Sequence, residues 1–495
     1  MTVEAKKISV AQLMASSGVQ FGTSGVRGKV VDMRDEVCWV YTSAFLQHLA
    51  LEPNTMVGIA GDLRASTERI MQAVAAAVTD AGLTPVNFGR IPSPAIALYG
   101  LHQHIPTIMV TGSHIPEDRN GIKFNKVDGE ILKADELQIT AQVVEIPAGR
   151  FSENGDFMNP VVLPAYDDAA KAHYIQRFSD FFPAQCLQGK AIGLYEHSSV
   201  ARDCLKTILQ QLGATVTSLA PSDTFVAVDT EAIRSEDIVL AKQWAQQYRF
   251  DCIISTDGDG DRPLISDENG VWLRGDIAGI LCAQYFNADV VVTPVSSNSA
   301  VDVCGNFQQV IRTRIGSPYV IEAMNQAMTG DNSVIGYEAN GGFLTATPLT
   351  QQGKTLSPLA TRDAVIVPLA ILLLAASQQK TIAQLLQTLP PRYTASDRLK
   401  AFPTALSQAI LGKMQQADMQ ENLRQVADLF VNIAGQPLAI DTTDGVRIRF
   451  VNGAIVHLRA SGNAPELRCY TEADSEQAAQ TLNAACMALM RTWQD

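Results

Sequence analysis

The chain has 495 residues and a net charge of −13, from 38 Lys and Arg against 51 Asp and Glu. At ~150 residues per domain this length predicts about three domains, and the acidic balance argues against nucleic-acid or anionic-membrane binding, which needs a basic surface. Hydrophobic residues make up 46% of the chain, which excludes wholesale disorder.

Three stretches run from an apolar strand into a small polar loop and then into a helix: 56–67, 190–203 and 289–302. Strands that alternate with helices are typical of α/β domains. The three stretches therefore predict three similar α/β domains in series. The longest apolar run, 364–376, contains Pro368 and is too short to span a bilayer, so it is interpreted as a buried helix.

The C-terminal part has a different pattern. Short strand-like runs at 444–450, 454–461 and 466–473 are separated by turns, and Asn452-Gly453 is a hairpin signal. A final helix is predicted from about Ser475 to Trp493. We expect a small α+β domain after Pro390-Pro391, and domains at 1–164, 165–271, 272–390 and 391–495.

The eight cysteines are scattered and form no CxxC pair, which makes a zinc ribbon an unlikely fold element. The first residues contain no apolar core of signal-peptide length. Together these features predict a reducing, cytoplasmic location.

The most informative loop is STDGDGDR at 255–262, in which Asp257, Asp259 and Asp261 alternate with glycines. Three carboxylates held together repel one another unless a cation neutralises them, and oxygen ligands suit Mg²⁺. An EF-hand is excluded because Arg262 occupies the position that requires glycine and because 251–255 has a strand pattern. The alternative is a solvated acidic turn.

A second loop, TGSHIPEDRNGIK at 111–123, follows an apolar strand, which is the usual place for a site in an α/β sheet. Ser113, with His114 and Lys123 nearby, is a candidate nucleophile. The hydrolase pattern G-x-S-x-G is not present, since Ile115 occupies its last position. Taken alone, a Ser-His pair in a turn is more often structural than catalytic; beside a magnesium loop, Ser113 becomes a candidate phosphoryl carrier.

Three further loops combine polar residues with neighbouring glycines. Glu338 and Asn340, in VIGYEANGGF at 334–343, can hydrogen-bond adjacent sugar hydroxyls, although a plain turn is the alternative. Arg27 lies in FGTSGVRG at 21–28 and can stabilise a transferring phosphoryl group. The segment HLRASGNAPELR at 457–468 forms an anion cradle if its side chains converge; otherwise its arginines are solvated on a hairpin. The cradle residues are Arg459, Ser461, Asn463 and Arg468.

In order and in rough spacing, the five loops resemble those of the α-D-phosphohexomutase superfamily, over residues 21–468. The resemblance implies four domains around a central cleft, each contributing one loop. It also implies interconversion of hexose 1- and 6-phosphates through a bisphosphate, with one Mg²⁺ per chain and hexose 1,6-bisphosphate as activator. Hexose phosphates are then the partners, with no nucleic acid and no membrane, and the chain is expected to be a monomer or a weak homo-oligomer.

The resemblance also implies a role for each matching residue. Ser113 corresponds to the phosphorylated serine, whose phosphate completes the metal site of the three aspartates. The loop of Glu338 and Asn340 reads sugar hydroxyls, and the 457–468 loop grips the non-reacting phosphate. Arg27 and Lys123 correspond to groups near the transferring phosphate that assist proton transfer, and Arg262 corresponds to the arginine beside the metal. His114, next to Ser113, is a further candidate catalytic residue.

The first hypothesis for the activity is interconversion of mannose 1-phosphate and mannose 6-phosphate. Glucose phosphates, alone or together with mannose phosphates, are the second, and glucosamine phosphates the third. A magnesium-dependent sugar phosphatase is an alternative from another enzyme class, but it does not need the distal cradle. A catalytically inert sugar-phosphate-binding protein is disfavoured by the intact serine, lysine and aspartates.

Overall fold

The computed structural model describes residues 6–461 and 465–493, arranged as four units in series. Within these ranges, no helix combines the length and the apolar character that crossing a membrane requires. The run at 364–376 forms most of a buried helix, as its composition predicts.

The first unit is an α/β domain whose mixed sheet has the strand order β2-β3-β7-β6-β4-β5, with β8 paired to β7 and a separate β1–β9 pair. Its elements are β1 (Lys6–Ser9), α1 (Val10–Ser17), β2 (Gln20–Phe21), β3 (Gly25–Lys29), α2 (Asp35–Leu49), β4 (Met56–Gly61), α3 (Thr67–Asp80), β5 (Thr84–Arg90), α4 (Ser93–Gln103), β6 (Thr107–Val110), β7 (Arg119–Lys126), β8 (Gly129–Glu130), α5 (Lys133–Thr140) and β9 (Val143–Ile146).

The second unit has a four-stranded sheet of order β11-β10-β12-β13. Its elements are α6 (Ala169–Phe181), β10 (Ala191–His197), α7 (Arg202–Gln211), β11 (Thr215–Pro221), α8 (Ser235–Tyr248), β12 (Cys252–Thr256) and β13 (Pro263–Ile265).

The third unit has a four-stranded sheet of order β15-β14-β16-β17 and a small β18–β19 hairpin. Its elements are α9 (Gly275–Tyr285), β14 (Val290–Pro294), α10 (Ala300–Val303), β15 (Gln309–Thr313), α11 (Ser317–Ala327), β16 (Val334–Tyr337), β17 (Phe343–Thr345), β18 (Leu349–Gln351), β19 (Lys354–Leu356), α12 (Ile366–Ser377) and α13 (Ile382–Leu386).

The three sheets share one motif of four strands. In each, a central strand pairs in parallel with two neighbours, and the second neighbour pairs with an antiparallel strand that follows it in the chain. The loop between this second neighbour and the antiparallel strand is 111–118 in the first unit, 257–262 in the second and 338–342 in the third. The loops that contain Ser113, the three aspartates and Glu338 therefore occupy equivalent places in three repeats, which confirms three similar α/β domains.

The fourth unit is an α+β domain with a five-stranded antiparallel sheet of order β20-β24-β23-β22-β21. The predicted strands, the hairpin at Asn452-Gly453 and the final helix are all present. Its elements are β20 (Tyr393–Leu399), α14 (Thr404–Lys413), α15 (Met419–Ala434), β21 (Pro437–Asp441), β22 (Val446–Phe450), β23 (Ile455–Ala460), β24 (Leu467–Ala473) and α16 (Glu476–Arg491).

The apolar cores show how the units are joined. One continuous cluster of buried side chains extends from Phe88 and Ile96 in the first unit, through Tyr174 and Leu205 in the second, to α12 in the third. The fourth unit has its own cluster, built around Phe402, Phe430 and Phe450. Because burial of apolar surface is the main stabilising contribution, the first three units form one packed body that carries the three equivalent loops.

Candidate active site

Ser113 lies in the loop between β6 and β7, where it adopts the left-handed conformation with φ of 53°. A non-glycine residue in this region is strained, and such strain persists only where the surroundings hold it. The backbone N–H of Ser113 donates to Thr111 Oγ1 at 2.7 Å, and its hydroxyl donates to Asp257 Oδ2 at 2.6 Å. The hydroxyl is thus directed from the first unit onto the aspartate loop of the second.

Arg64 holds this serine loop in place, although its sequence position gave it no predicted role. Its guanidinium is fully buried and lies 3.8 Å from the centre of the Phe225 ring. It donates to Asp62 Oδ2 at 3.2 Å and to four backbone carbonyls of the loop. These are the carbonyls of Ser113 (3.0 Å), Ile115 (2.6 Å), Pro116 (2.8 Å) and Arg119 (3.1 Å).

The three aspartates of the second unit form a buried group whose ligand atoms lie within 4.8 Å of one another. Asp259 Oδ2 accepts from Ser93 Oγ and from Lys123 Nζ, both at 2.6 Å, and Asp261 Oδ2 accepts from Lys123 Nζ at 2.7 Å. Among the described residues, the Oδ1 atoms of Asp259 and Asp261 are buried without a hydrogen-bond partner. Orphaned carboxylate oxygens beside a serine hydroxyl fit a hard divalent cation.

The charges in this group are strongly coupled. Burial, and then repulsion by Asp259 and Asp261, raises the pKa of Asp257 well above its usual value. Burial acts to lower the pKa of Lys123, but the two carboxylates that it contacts raise that pKa to about 12. Arg262 and Arg362 also lie within 4.0 Å of these carboxylates, so three cationic side chains offset the charge of the group.

His114, Arg262 and Arg27 surround the serine as the motifs predict. His114 Nδ1 lies 3.2 Å from Ser113 Oγ and accepts from Arg262 Nη1 at 2.7 Å. Burial, and then the charge of Arg262, lowers the pKa of His114 to about 4, so its ring is neutral near pH 7. Arg27 lines the same cleft together with the glycine-rich segment 22–25, Lys123 and Arg262.

Glu338 and Asn340 are both buried in the loop between β16 and β17 of the third unit. Asn340 Oδ1 accepts from the N–H of Gly342 at 2.9 Å, and its carbonyl accepts from Thr230 Oγ1 at 2.7 Å. Glu338 Oε2 accepts from Arg362 Nη1 at 3.3 Å. Arg362, which sequence reasoning missed, also contacts Asp261 and so joins the sugar loop to the aspartates.

The predicted anion cradle lies in the fourth unit. Arg459 and Arg468 are directly opposite each other on β23 and β24, so their side chains emerge on the same face of the sheet. Arg459 Nε donates to Asp444 Oδ1 at 2.8 Å, while Arg468 is 3.4 Å from Glu466. Ser461 is buried at the end of the strand, and Asn463 lies outside the described residues.

Two segments that contain missed residues carried signals in the sequence. Asp62 and Arg64 directly follow the buried strand β4, at the end of the sheet where sites are expected. Arg362 and Asp363 lie a few residues before the strongly apolar helix α12, and buried charges occur only where they are paired. Neither signal indicates which residue is the partner of the charged side chain. Asp261, the partner of Arg362, lies more than a hundred residues away in the sequence.

Comparisons with known proteins agree with this arrangement. Four domain families of phosphoglucomutase/phosphomannomutase match in order: alpha/beta/alpha domain I at 18–149, domain II at 172–270, domain III at 274–393 and the C-terminal domain at 413–489. They place the serine, aspartate, sugar and cradle loops in separate domains.

Among similar proteins, a phosphomannomutase of Salmonella muenchen is 45% identical over 93% of each chain. One of Sinorhizobium fredii is 40% identical over 96% of this chain and 99% of its own.

The fold is shared with a phosphoglucomutase/phosphomannomutase family protein from Burkholderia thailandensis, at 17% identity, a TM-score of 0.73 and 98% coverage of both chains. It is also similar to Aspergillus fumigatus N-acetylphosphoglucosamine mutase in complex with GlcNAc-6P and magnesium, at 13% identity and a TM-score of 0.60 over 98% and 99% of the chains. With relatives this similar over nearly its whole length, the chain belongs to the phosphoglucomutase/phosphomannomutase family of the α-D-phosphohexomutase superfamily.

Proposed function

We propose that this protein is a phosphomannomutase that interconverts mannose 1-phosphate and mannose 6-phosphate, with Ser113 as the phosphoryl carrier. The observation that carries the proposal is the 2.6 Å contact between Ser113 Oγ and Asp257 within the buried aspartate group. It is supported by the names of the two relatives at 40–45% identity.

The reaction consists of two transfers through a hexose 1,6-bisphosphate. In the first, a free sugar hydroxyl attacks the phosphorus carried by Ser113, the Oγ–P bond breaks, the hydroxyl loses its proton and Ser113 regains one. After the bisphosphate has turned over in the cleft, Ser113 takes the phosphoryl group from the opposite end by the reverse step. Hexose 1,6-bisphosphate also activates the enzyme, because it phosphorylates Ser113.

The residues around Ser113 are assigned to positioning and charge neutralisation, which account for most of the catalysis of phosphoryl transfer. Asp257, Asp259 and Asp261, with the phosphate on Ser113, would hold one Mg²⁺, and their two orphaned oxygens support this assignment. When bound there, Mg²⁺ supplies positive charge to the oxygens of the phosphoryl group. Arg27 and Lys123 assist the accompanying proton transfers near the transferring phosphate, Arg262 lies beside the metal, and His114 lies next to Ser113.

The two remaining loops are assigned to the substrate. Glu338 and Asn340 hydrogen-bond the sugar hydroxyls, which lets a closed site reject the wrong epimer through unpaired polar groups. Arg459 and Arg468, with Ser461 and Asn463, hold the phosphate that is not reacting. We also propose that the protein acts in the cytoplasm as a monomer or weak homo-oligomer, with domain boundaries near residues 164, 271 and 390.

The test is a coupled assay with mannose, glucose and glucosamine 1-phosphates, each with its own 1,6-bisphosphate. We expect the highest kcat/KM for mannose 1-phosphate; a higher value for another sugar would replace mannose as the substrate. Release of inorganic phosphate in step with substrate loss would instead indicate a phosphatase.

The serine is tested separately by mass spectrometry after incubation with the bisphosphate. One phosphoryl group should appear on Ser113, and Ser113→Ala should fold normally and turn over very slowly. Ser16→Ala, at an exposed position of α1, is the matched control and should match the wild type. A label elsewhere, or wild-type turnover of Ser113→Ala, would overturn the mechanism.

A further inference from the structure

Arg362 is a buried cation that connects two loops of the cleft. Its side chain is 3% exposed, and its Nε and Nη2 atoms both lie 3.0 Å from Asp261 Oδ2. On its other edge, Nη1 donates to Glu338 Oε2 at 3.3 Å. One planar guanidinium therefore spans a carboxylate of the aspartate loop and the carboxylate assigned to the sugar, at a separation set by its own covalent geometry.

The first unit reaches the same arginine through Glu130. This buried glutamate accepts hydrogen bonds from Ser24, within the glycine-rich segment 22–25, and from Thr361, and its Oε2 is 3.4 Å from Ser317 Oγ. Ser317 Oγ in turn lies 3.5 Å from Arg362 Nη1. Asp261 and Glu338 thus contact one positive charge directly, and Glu130 of the first unit reaches it through Ser317.

Gly342 provides the space that Arg362 fills. A Cβ atom on Gly342 would lie 2.5 Å from Arg362 Cδ and 2.6 Å from Cγ, closer than real Cβ contacts. Its φ is not among the positive values, so the backbone itself accepts alanine. The absence of a side chain at position 342 is therefore explained by the course of the arginine and not by the conformation of the turn.

We propose that Arg362 is a positioning residue for sugar recognition: it fixes the carboxylate of Glu338 relative to the aspartate loop, and Gly342 keeps its path open. This inference rests on the proposed function. A carboxylate held from one side presents its remaining lone pairs in a defined direction, which is what discrimination between epimeric hydroxyls requires. A positive charge alone is not sufficient to position Glu338, because Asp261 and Glu338 accept hydrogen bonds from different edges of the guanidinium.

The first test displaces Arg362 without changing its charge. In Gly342→Ala we expect the ratio of kcat/KM for mannose 1-phosphate to that for glucose 1-phosphate to move towards unity by about tenfold, the size of one misplaced polar contact. Binding of mannose 6-phosphate and glucose 6-phosphate to the unphosphorylated protein, measured by calorimetry, should change in the same ratio. Gly412→Ala is the matched control, because a Cβ there meets nothing within 4 Å.

Two variants of Arg362 separate geometry from charge. Arg362→Lys keeps the positive charge but places it on a single ammonium, so it should still lose the sugar preference. Gly342→Ala added to Arg362→Ala should cause no further change in the binding ratio, because the atoms that it displaces are already gone.

The outcomes are decisive in both directions. Wild-type sugar ratios in Gly342→Ala and in Arg362→Lys, or equal weakening of both sugars in each, would overturn the role of Arg362. A wild-type protein that turns over no hexose phosphate would refute the proposed function instead, and the calorimetric ratios would still decide the role of Arg362.

Discussion

Arg64 offers the sharpest test of how the serine loop is positioned. Its fully buried guanidinium donates to Asp62 and to four carbonyls between Ser113 and Arg119. Arg64→Lys keeps the charge but replaces a fork that serves five acceptors by one ammonium. The loop that contains Ser113, with its strained φ, then loses hydrogen bonds from Arg64 that hold it in this conformation.

The expected loss of unfolding free energy is estimated from the number of acceptors that are left without a donor. A hydrogen bond to a charged group contributes about 1.5–3 kcal/mol, and an ammonium can serve about half of the five acceptors. We therefore expect a loss of about 3 kcal/mol in the unfolding free energy of the first unit, after allowing for local relaxation. Since a misplacement of about 1 Å costs about 100-fold in rate, kcat should fall by that factor.

The measurements are kcat, KM and thermal unfolding, together with the phosphoryl occupancy of Ser113 by mass spectrometry. Because the substrate-binding residues are assigned to other loops, KM should change much less than kcat. Arg69→Lys is the control, since Arg69 is partly exposed and none of its acceptors, Asp35 and the backbone carbonyls of 30 and 33, belongs to the serine loop. A kcat for Arg64→Lys equal to that of the control would refute the reasoning.

Four further outcomes are expected. Asp259→Asn removes a charge that faces the proposed cation, so kcat should fall by at least about 100-fold with the fold retained; full activity after exhaustive chelation would contradict it. Glu338→Gln should change the preference between mannose and glucose phosphates, whereas equal slowing of both would make the loop structural. Arg459→Ala should weaken both sugar phosphates and bisphosphate by about tenfold, the value of one charge-assisted contact; unchanged KM values would mean that this arginine serves only its ion pair. Burial lowers the pKa of His197 to about 4, against about 6.5 when unfolded, so the unfolded chain protonates first and this ring alone should contribute a loss of about 2 kcal/mol in stability from pH 7 to pH 5. In His197→Gln the loss of stability should shrink by about that amount, while the contributions of His114 and His457, whose pKa values burial also lowers to about 4, remain; an unchanged slope would exclude the His197 ring as a cause.

The sequence alone was sufficient to predict the structural class of each unit and the loops that contain the candidate functional residues. Alternation of apolar strands with helices depends on local periodicity, so three α/β domains and a different C-terminal domain could be predicted, and the structure confirms them. Asp257, Asp259 and Asp261 are close in the chain, and local crowding of carboxylates is visible without a fold. The family resemblance brought Ser113 to them before any contact was known.

Only the tertiary structure decided which distant groups complete these loops. Arg64 contacts carbonyls about 50 residues away, and Arg362 meets Asp261 and Glu338 from a third segment of the chain. Such contacts depend on where sheets place loop ends and on which side chains are excluded from water, and no local pattern encodes either. Gly342 shows most clearly what the sequence cannot predict. In the sequence it belongs to a glycine-rich turn, whereas in the fold its missing side chain leaves the space through which a buried arginine passes.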